Sequence, residues 1–183
     1  EINLLEISKK LTNIQKNKID NKKVKWIQNL ENINQGPIIF LSNEFFDSLP
    51  IKQILRKKNL FFEKHVSLSN DSKKIKFCYK KANKNLIKNI KKLNIIPKVG
   101  PIEYPIDAIK YLVTVSKKIN KFNGAFLTFD YGYTKKKKLN TLQSVVKHRH
   151  INLLSKPGNS DITSLINFEL FNKILKNNNH EVK

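Results

Sequence analysis

The chain has 183 residues, 39% of them hydrophobic, and a formal net charge of +22. This length suits one domain, and no apolar segment approaches the ~18 residues that span a bilayer, so membrane insertion is not expected. The single Cys78 excludes an internal disulfide framework and a cysteine zinc site, and it indicates a reducing compartment such as the cytoplasm.

The basic charge raises the question of a nucleic-acid partner. Only Arg56 and Arg149 are arginines, however, and the lysines are spread along the whole chain. Nucleic-acid readers favour the planar fork of arginine, so a nucleic-acid partner is disfavoured here. The lysine run at residues 135–138 is predicted to be a solvated loop.

Short apolar runs alternate with a helical pattern in the first part of the chain. Ile2–Leu5 and Val24–Ile27 are predicted strands, and Ser8 is predicted to be the N-cap of a helix between them. Residues 38–41 form a third predicted strand that is apolar throughout. Such strands are typical of parallel sheets covered on both faces.

The middle of the chain changes to alternation of apolar and polar residues. Residues 51–79 predict an antiparallel β-meander with a turn at residues 70–72. Residues 82–93 predict a short helix, residues 97–105 a loop, and residues 106–119 a second helix.

The last third returns to a strand and a helix. Gly124 is predicted to be the C-cap of the preceding helix, and residues 125–129 form a strand. A polar loop is expected from there to Gly158. Asp161 is predicted to be the N-cap of a last helix over residues 162–168.

Strands that alternate with helices predict an α/β fold with an open, mainly parallel sheet and an inserted β-meander. Such sheets bind ligands outside the carboxyl ends of their strands. Glu6, Glu44 and Asp130 each follow a predicted strand, so we expect all three at one edge of the sheet. One acid at a strand end would be an ordinary turn or cap residue, but three together indicate a site.

Seven stretches carry a family resemblance, in this order: LLEISKKLTNIQ, SNEFFDSLPIKQ, FFEKHV, GPIEYP, GAFLTFDYGY, TLQSVVKH and PGNSDITSLINF. Together they resemble the MidA-like family of S-adenosylmethionine-dependent methyltransferases, which includes a mitochondrial complex I assembly factor that methylates a protein arginine. The resemblance implies a Rossmann-like class I methyltransferase fold and S-adenosyl-L-methionine as cofactor. It also implies a protein substrate of the respiratory complex I type, with the mitochondrial matrix as the alternative location.

The resemblance also implies that part of the domain is missing. Family members carry a glycine-rich loop after their first strand, upstream of the segment matching LLEIS, and none of the five glycines here forms one. The sequence also lacks methionine. We therefore expect residues 1–183 to be an internal, truncated and inactive piece of one methyltransferase domain. The family has a histidine at the position of Leu165, and Glu63 and Glu103 match family positions without an assigned role.

The resemblance assigns cofactor contacts to Glu6, Trp26 and Asn43. Glu6 matches the acid that accepts hydrogen bonds from the ribose hydroxyls, and a carboxylate offers two acceptor oxygens to a diol. The alternative is an exposed acid near a helix start. Trp26 would lie near the adenine face, or else belong to the core.

The predicted catalytic residues are Glu44, Asn43, Asp47 and Asp130. Methyl transfer requires the enzyme to position a nucleophile and manage its proton. An arginine acceptor is cationic and needs carboxylates within reach, which Glu44 and Asp47 supply if their turn is helical. Asp47 and Asp130 are equally consistent with structural roles.

The predicted acceptor side comprises Phe46, Tyr131, Asp161 and His148. Phe46 would exclude water or belong to the core, and the Tyr131 hydroxyl would pair with Asp130. His148, His150 and Asp161 suggest a metal, but the two histidines stand two residues apart with no third ligand at a diagnostic spacing, so none is predicted. A nucleic-acid methyltransferase and a non-catalytic assembly or binding module remain alternative functions.

Overall fold

A computed structural model describes residues 1–20, 22–69, 74–96, 100–135 and 140–182. In chain order its elements are β1 (Ile2–Leu5), α1 (Lys9–Lys18), β2 (Val24–Ile27), a 3₁₀ turn (Leu30–Asn32), β3 (Ile38–Asn43), β4 (Lys52–Lys57), β5 (Leu60–Leu68), β6 (Ile75–Lys81), α2 (Lys84–Leu93), β7 (Ile102–Tyr104), α3 (Ile106–Phe122), β8 (Gly124–Phe129), β9 (Gly132–Tyr133), β10 (Gln143–Val146), β11 (Arg149–Ile151), β12 (Asp161–Thr163), β13 (Ile166–Asn167) and α4 (Phe168–Lys176).

The fold is mixed α/β, but the strands within the described residues do not form the single, mainly parallel sheet that the sequence predicts. The described residues form five sheets. Three are parallel pairs, β1–β2, β3–β8 and β9–β13, and two are antiparallel, in the orders β6-β5-β4-β7 and β11-β10-β12. The difference arises because no described strand pairs with the outer edges of β1–β2 or β3–β8.

The β3–β8 pair is covered on one face only by described residues. Helix α3 contacts both strands, while Ile39 is 79% exposed and Leu41 is 71% exposed on alternate positions of β3. Their register partners on β8 are Ala125 and Leu127, so the exposed face is apolar on both strands. The prediction that this strand is covered on both faces is therefore wrong within the described part of the chain.

The antiparallel meander is confirmed, and a fourth strand of its sheet was not predicted. β4, β5 and β6 pair antiparallel, with α2 packed on one face through Leu86 and Ile90 against Ile54 and Ile102. β7 lies inside the predicted loop 97–105 and pairs with β4, because its alternating side chains fit that edge. The predicted turn at residues 70–72 and the loop residues 97–99 lie outside the described residues.

Two helices begin as predicted. The Ser8 Oγ accepts a hydrogen bond from the Leu11 amide at 3.3 Å and so caps α1. Helix α3 extends from Ile106 to Phe122 and buries Leu112 completely. Within the described ranges, no helix is both long and apolar enough to cross a membrane.

The last helix begins later than predicted. Asp161 belongs to β12, where it is the register partner of Val145, and is therefore not a helix N-cap. Helix α4 begins at Phe168, and the Asn167 side chain accepts the Leu170 amide at 3.1 Å. The predicted polar loop to Gly158 contains β10 and β11, which form a hairpin.

Gly124 is the first residue of β8 rather than a helix C-cap. The C-cap of α3 is Asn123, with a φ of 59°. Gly124 has a φ of 150°, and a Cβ placed on it would lie 1.7 Å from the Ile38 carbonyl oxygen. Glycine is required here because β8 starts in close contact with β3.

We expect Gly124→Ala to destabilise the protein more than Gly158→Ala. Gly158 also has a positive φ, 81°, but an added Cβ there meets no atom within 4 Å. Backbone strain alone should lower the free energy of unfolding by about 1–2 kcal/mol at Gly158. The contact with β3 should add a further ~1–3 kcal/mol at Gly124. Urea unfolding compares the two, and equal losses would contradict the packing argument.

Candidate functional site

The carboxyl ends of β3 and β8 meet at one edge of their sheet. The strands pair in parallel over six residues each, ending with Asn43 opposite Phe129. The Ser42 hydroxyl donates to Thr128 Oγ1 at 2.9 Å just before this end. The Glu44 amide then donates to the Phe129 carbonyl oxygen at 2.9 Å, so Glu44 stands directly at the edge.

Glu44 occupies a left-handed backbone conformation, with a φ of 47°. A non-glycine residue adopts this conformation uncommonly, and such strain tends to occur at functional positions. The conformation turns the chain sharply out of β3. It places Asp47 three residues later on the same edge.

Asp130 connects the two strand ends through backbone hydrogen bonds. Its Oδ2 accepts a hydrogen bond from the Phe46 amide and its Oδ1 accepts one from the Tyr131 amide, each at 2.9 Å. The predicted partner of Asp130 was the Tyr131 hydroxyl. That prediction is wrong, because Tyr131 is 61% exposed and Asp130 binds its backbone instead.

Glu44, Asp47 and Asp130 therefore form one acidic cluster, which we call the acidic rim. Asp47 is only 7% exposed. Burial raises the pKa of the Asp47 carboxyl, and the nearby charges of Asp130 and then Glu44 raise it further. The structure thus brings together three of the four predicted catalytic side chains, and Asn43 is the adjoining last residue of β3.

The raised pKa predicts how Asp47 affects stability. The folded state holds this proton more tightly than the unfolded state, so its contribution to the free energy of unfolding is full below about pH 3.9 and falls as pH rises through the folded pKa. Asp47→Asn removes the titration, so its stability relative to wild type should increase between pH 4 and pH 7. Urea unfolding at both pH values measures this, and a constant difference would contradict it.

Phe46, predicted on the acceptor side, lies in the core. It is 4% exposed and makes edge-on contacts with Phe45, Phe126 and Phe171, at centroid distances of 5.0, 5.9 and 5.0 Å. The same cluster contains Leu112 and residues of α4. Phe46 thus anchors the turn that carries the acidic rim.

Glu6 lies at the carboxyl end of the other parallel pair, β1–β2. Its amide donates to the Ile27 carbonyl oxygen, and its Oε1 accepts the Ser8 amide at 2.7 Å. Its second oxygen, Oε2, accepts no hydrogen bond from the described residues. This free acceptor oxygen fits one hydroxyl of a ribose, so the Glu6 carboxylate is compatible with the predicted cofactor.

Trp26 is half-buried and already has polar partners. Its indole N–H donates to Gln15 Oε1 at 2.8 Å, and the Lys16 ammonium lies 5.6 Å from the ring centroid. These contacts attach Trp26 to α1. The role that the family resemblance implies for it at the adenine face stays a prediction.

Helix α3 connects the parallel pair β3–β8 with the segment that follows the parallel pair β1–β2. The Lys118 ammonium, on a side chain that is 11% exposed, donates to the carbonyl oxygens of Glu31 (2.9 Å) and Ile33 (2.8 Å), just after β2. The same helix contacts β3 and β8. No hydrogen bond between the described residues joins the pairs directly, so the predicted common edge holds for Glu44 and Asp130 and stays a prediction for Glu6.

The other predicted acceptor-side residues are spread over the last third of the chain. His148 is exposed in the turn between β10 and β11, and Asp161 is exposed in β12. The described residues hold no group of three or more His, Cys, Asp or Glu side chains that could bind a metal. A surface groove of about 440 Å³ is lined by α4 and Thr134 and includes none of the predicted site residues.

The sequence left the role of Glu103 open, and the structure gives it four hydrogen-bond donors. They come from Gln53 of β4 and from residues 141 and 142, which follow β9 in the chain. No spacing signal links these segments, since 38 residues separate Glu103 from Thr141. Only its place in the GPIEYP stretch marked it.

Residues 1–183 match the family model described as "Putative S-adenosyl-L-methionine-dependent methyltransferase". The match spans the whole chain, which decides the assignment. The chain belongs to this family.

Named relatives are consistent with this family. The chain is 24% identical over 158 residues to "Protein arginine methyltransferase NDUFAF7 homolog, mitochondrial" from Caenorhabditis elegans, covering 82% of this chain and 36% of that protein. It is 23% identical over 197 residues to the NDUFAF7 protein arginine methyltransferase of Xenopus tropicalis, covering 95% and 45%. The chain thus spans less than half the length of these relatives.

Two crystal structures from Burkholderia thailandensis share the fold. One is a COG1565 superfamily member bound to S-adenosyl-homocysteine, with a TM-score of 0.74 and 18% identity, covering 97% of this chain and 48% of that one. The other is a native structure from the same superfamily, with a TM-score of 0.77 and 17% identity, covering 97% and 50%. The chain therefore shares the fold of about half of each of these two structures.

Proposed function

We propose that this chain is part of an enzyme that transfers a methyl group from S-adenosyl-L-methionine to an arginine of a protein. The observation that carries the acceptor class is the acidic rim at the carboxyl ends of β3 and β8. The names of the curated relatives support the same acceptor. Carboxylates at this edge suit a cationic guanidinium, which donates planar, paired hydrogen bonds to them.

Within the rim, Glu44 is the residue we assign to the acceptor nitrogen. It is exposed at the strand end, whereas Asp130 is engaged by two backbone amides and Asp47 is buried. Glu44 orients the guanidinium and takes up the proton that its nitrogen loses when the new N–C bond forms. Asp47 and Asp130 hold the local potential negative.

The bound cofactor supplies the methyl group, and three residues of this chain are proposed to hold it. Glu6 accepts from a ribose hydroxyl, Trp26 lies toward the adenine, and Asn43 stands at the end of β3 beside Glu44. On the acceptor side, Tyr131, Asp161 and His148 remain candidates for contacts with the protein substrate, because all three are exposed.

The location and partner follow from the relatives rather than from this chain. The curated relatives are named mitochondrial, which favours a mitochondrial matrix location over the predicted cytoplasm. A subunit of respiratory complex I remains our proposed substrate by family resemblance.

Labelled methyl transfer tests the acceptor class. The natural full-length protein is incubated with methyl-labelled S-adenosyl-L-methionine and a mitochondrial extract, and the protein and RNA fractions are separated and hydrolysed. We expect label in methylarginine. Label in nucleotides would favour the nucleic-acid alternative, and absence of any transfer would favour a binding module.

A further inference from the structure

Glu103 joins the antiparallel sheet to residues 140–167, which we call the clamp segment. Its Oε1 accepts hydrogen bonds from Gln53 Nε2 at 2.9 Å, the Thr141 amide at 2.9 Å and the Leu142 amide at 3.3 Å. Its Oε2 accepts the Thr141 hydroxyl at 2.7 Å. Four donors from two segments therefore converge on one carboxylate.

Four converging donors require a side chain that only accepts hydrogen bonds. A carboxylate offers about four lone-pair sites, whereas a carboxamide turns two of them into N–H donors. A glutamine at position 103 would face its own amide hydrogens toward existing donors and leave at least one unpaired. The charge matters as well, because amides and hydroxyls bind a carboxylate more strongly than a neutral oxygen.

Neighbouring side chains hold this network in place. Gln53 is buried, and its amide nitrogen also donates to Asn140 Oδ1 at 2.6 Å while its Oε1 accepts Lys64 Nζ at 3.2 Å. Burial lowers the pKa of Lys64, and the negative charge of Glu103 opposes that shift. Burial raises the pKa of Tyr133, and Glu103 adds to that shift.

The clamp segment continues from Glu103 to the acidic rim. The Thr141 hydroxyl accepts the Leu165 amide at 3.1 Å. The preceding amide in the chain, that of Ser164, donates to the Asp47 carbonyl oxygen at 2.9 Å. The Ile166 amide donates to the Tyr131 carbonyl oxygen at 2.9 Å. Three hydrogen bonds in sequence thus connect Glu103 with the backbone just beyond each strand end.

We propose that Glu103 is a positioning residue for the acidic rim, which it holds through Thr141 and the clamp segment. The catalytic part of this proposal rests on the proposed methyltransferase function. The structural part, that Glu103 fixes the backbone at Asp47 and Tyr131, stands independently. Glu103 itself touches no reacting group.

The test combines hydrogen exchange with kinetics on the natural full-length protein. In Glu103→Gln, we expect the Ser164 and Leu165 amides to exchange about tenfold faster or more, since each lost hydrogen bond is worth about 1.4 kcal/mol, which is a tenfold change. Turnover should fall about tenfold or more, with the KM for the cofactor unchanged, because misplacement of a site lowers the rate of the chemical step. Glu181→Gln, an exposed acid near the end of the chain, is the matched control.

Two variants at Thr141 keep the test decisive if Glu103→Gln does not fold. Thr141→Val removes the hydroxyl that joins Glu103 to Leu165 and should reproduce both effects. Thr141→Ser keeps the hydroxyl and should behave like the wild type. Unchanged exchange at Ser164 and Leu165 would overturn the positioning role whatever the activity. Faster exchange with unaltered turnover would overturn the catalytic part. A wild-type protein without methyl transfer would contradict the proposed function. The exchange data would still decide whether Glu103 fixes the backbone at Asp47 and Tyr131.

Discussion

Glu44→Gln should lower methyl-transfer turnover by about 10²-fold while cofactor affinity stays unchanged. The substitution keeps the shape of the side chain and removes its charge. Glu44 is exposed at the end of β3, so it can contact an incoming guanidinium without breaking a core contact. A positioned acid–base or charge contact contributes about 10²–10⁴-fold to a rate, and the lower end suits a rim that keeps Asp47 and Asp130.

Calorimetry with S-adenosyl-homocysteine and a radiometric transfer assay, both on the natural full-length protein, separate binding from turnover. Glu6→Gln serves as the complementary variant, and it should weaken cofactor binding first because Glu6 belongs to β1–β2 and not to the rim. Intact turnover in Glu44→Gln would show that the turn after β3 is a structural element only.

Phe46→Ala should lower the free energy of unfolding by about 3–5 kcal/mol. The ring is buried and contacts three other phenylalanines from the same turn, from β8 and from α4. Truncation leaves a cavity where these elements meet, beneath the acidic rim. Because most domains are stable by only about 5–15 kcal/mol, this single change removes a large part of the total.

Tyr131→Ala provides the matched aromatic control for the Phe46 substitution. Tyr131 lies one residue beyond Asp130 and is mostly exposed, so its loss should change stability by less than about 0.5 kcal/mol. Urea unfolding followed by tryptophan fluorescence of Trp26 reports both variants. A small loss for Phe46→Ala, accompanied by a raised KM for the protein substrate, would instead identify Phe46 as a substrate contact.

Local patterns in the sequence predicted the elements that have strong local signals. The predictions of β1, β2, β3 and β8 from apolar runs, and of Ser8 as a helix cap, are confirmed. They succeed because hydrophobic periodicity and N-caps depend on only a few neighbouring residues. The alternation of residues 51–79 also gave the correct antiparallel pairing. Strand-end acids then placed Glu44 and Asp130 together, since parallel strands end at one edge.

Elements stabilised by distant partners were missed. β7 and β12 have three residues each, and they become strands by pairing with β4 and β10 rather than through their own propensity. Asp161 looked like an N-cap because it precedes apolar residues, but tertiary pairing overrides that preference. Glu103 was recognised only by resemblance, because its donors come from residues far away in the sequence.

The most direct test of the site is a crystal structure of the natural full-length protein with S-adenosyl-homocysteine and an arginine peptide. We expect the sulfur near Asn43 at the end of β3, a ribose hydroxyl on Glu6, and the guanidinium within hydrogen-bonding distance of Glu44. A ligand bound away from the carboxyl ends of β1 and β3, or a guanidinium that contacts none of Glu44, Asp47 and Asp130, would contradict the account.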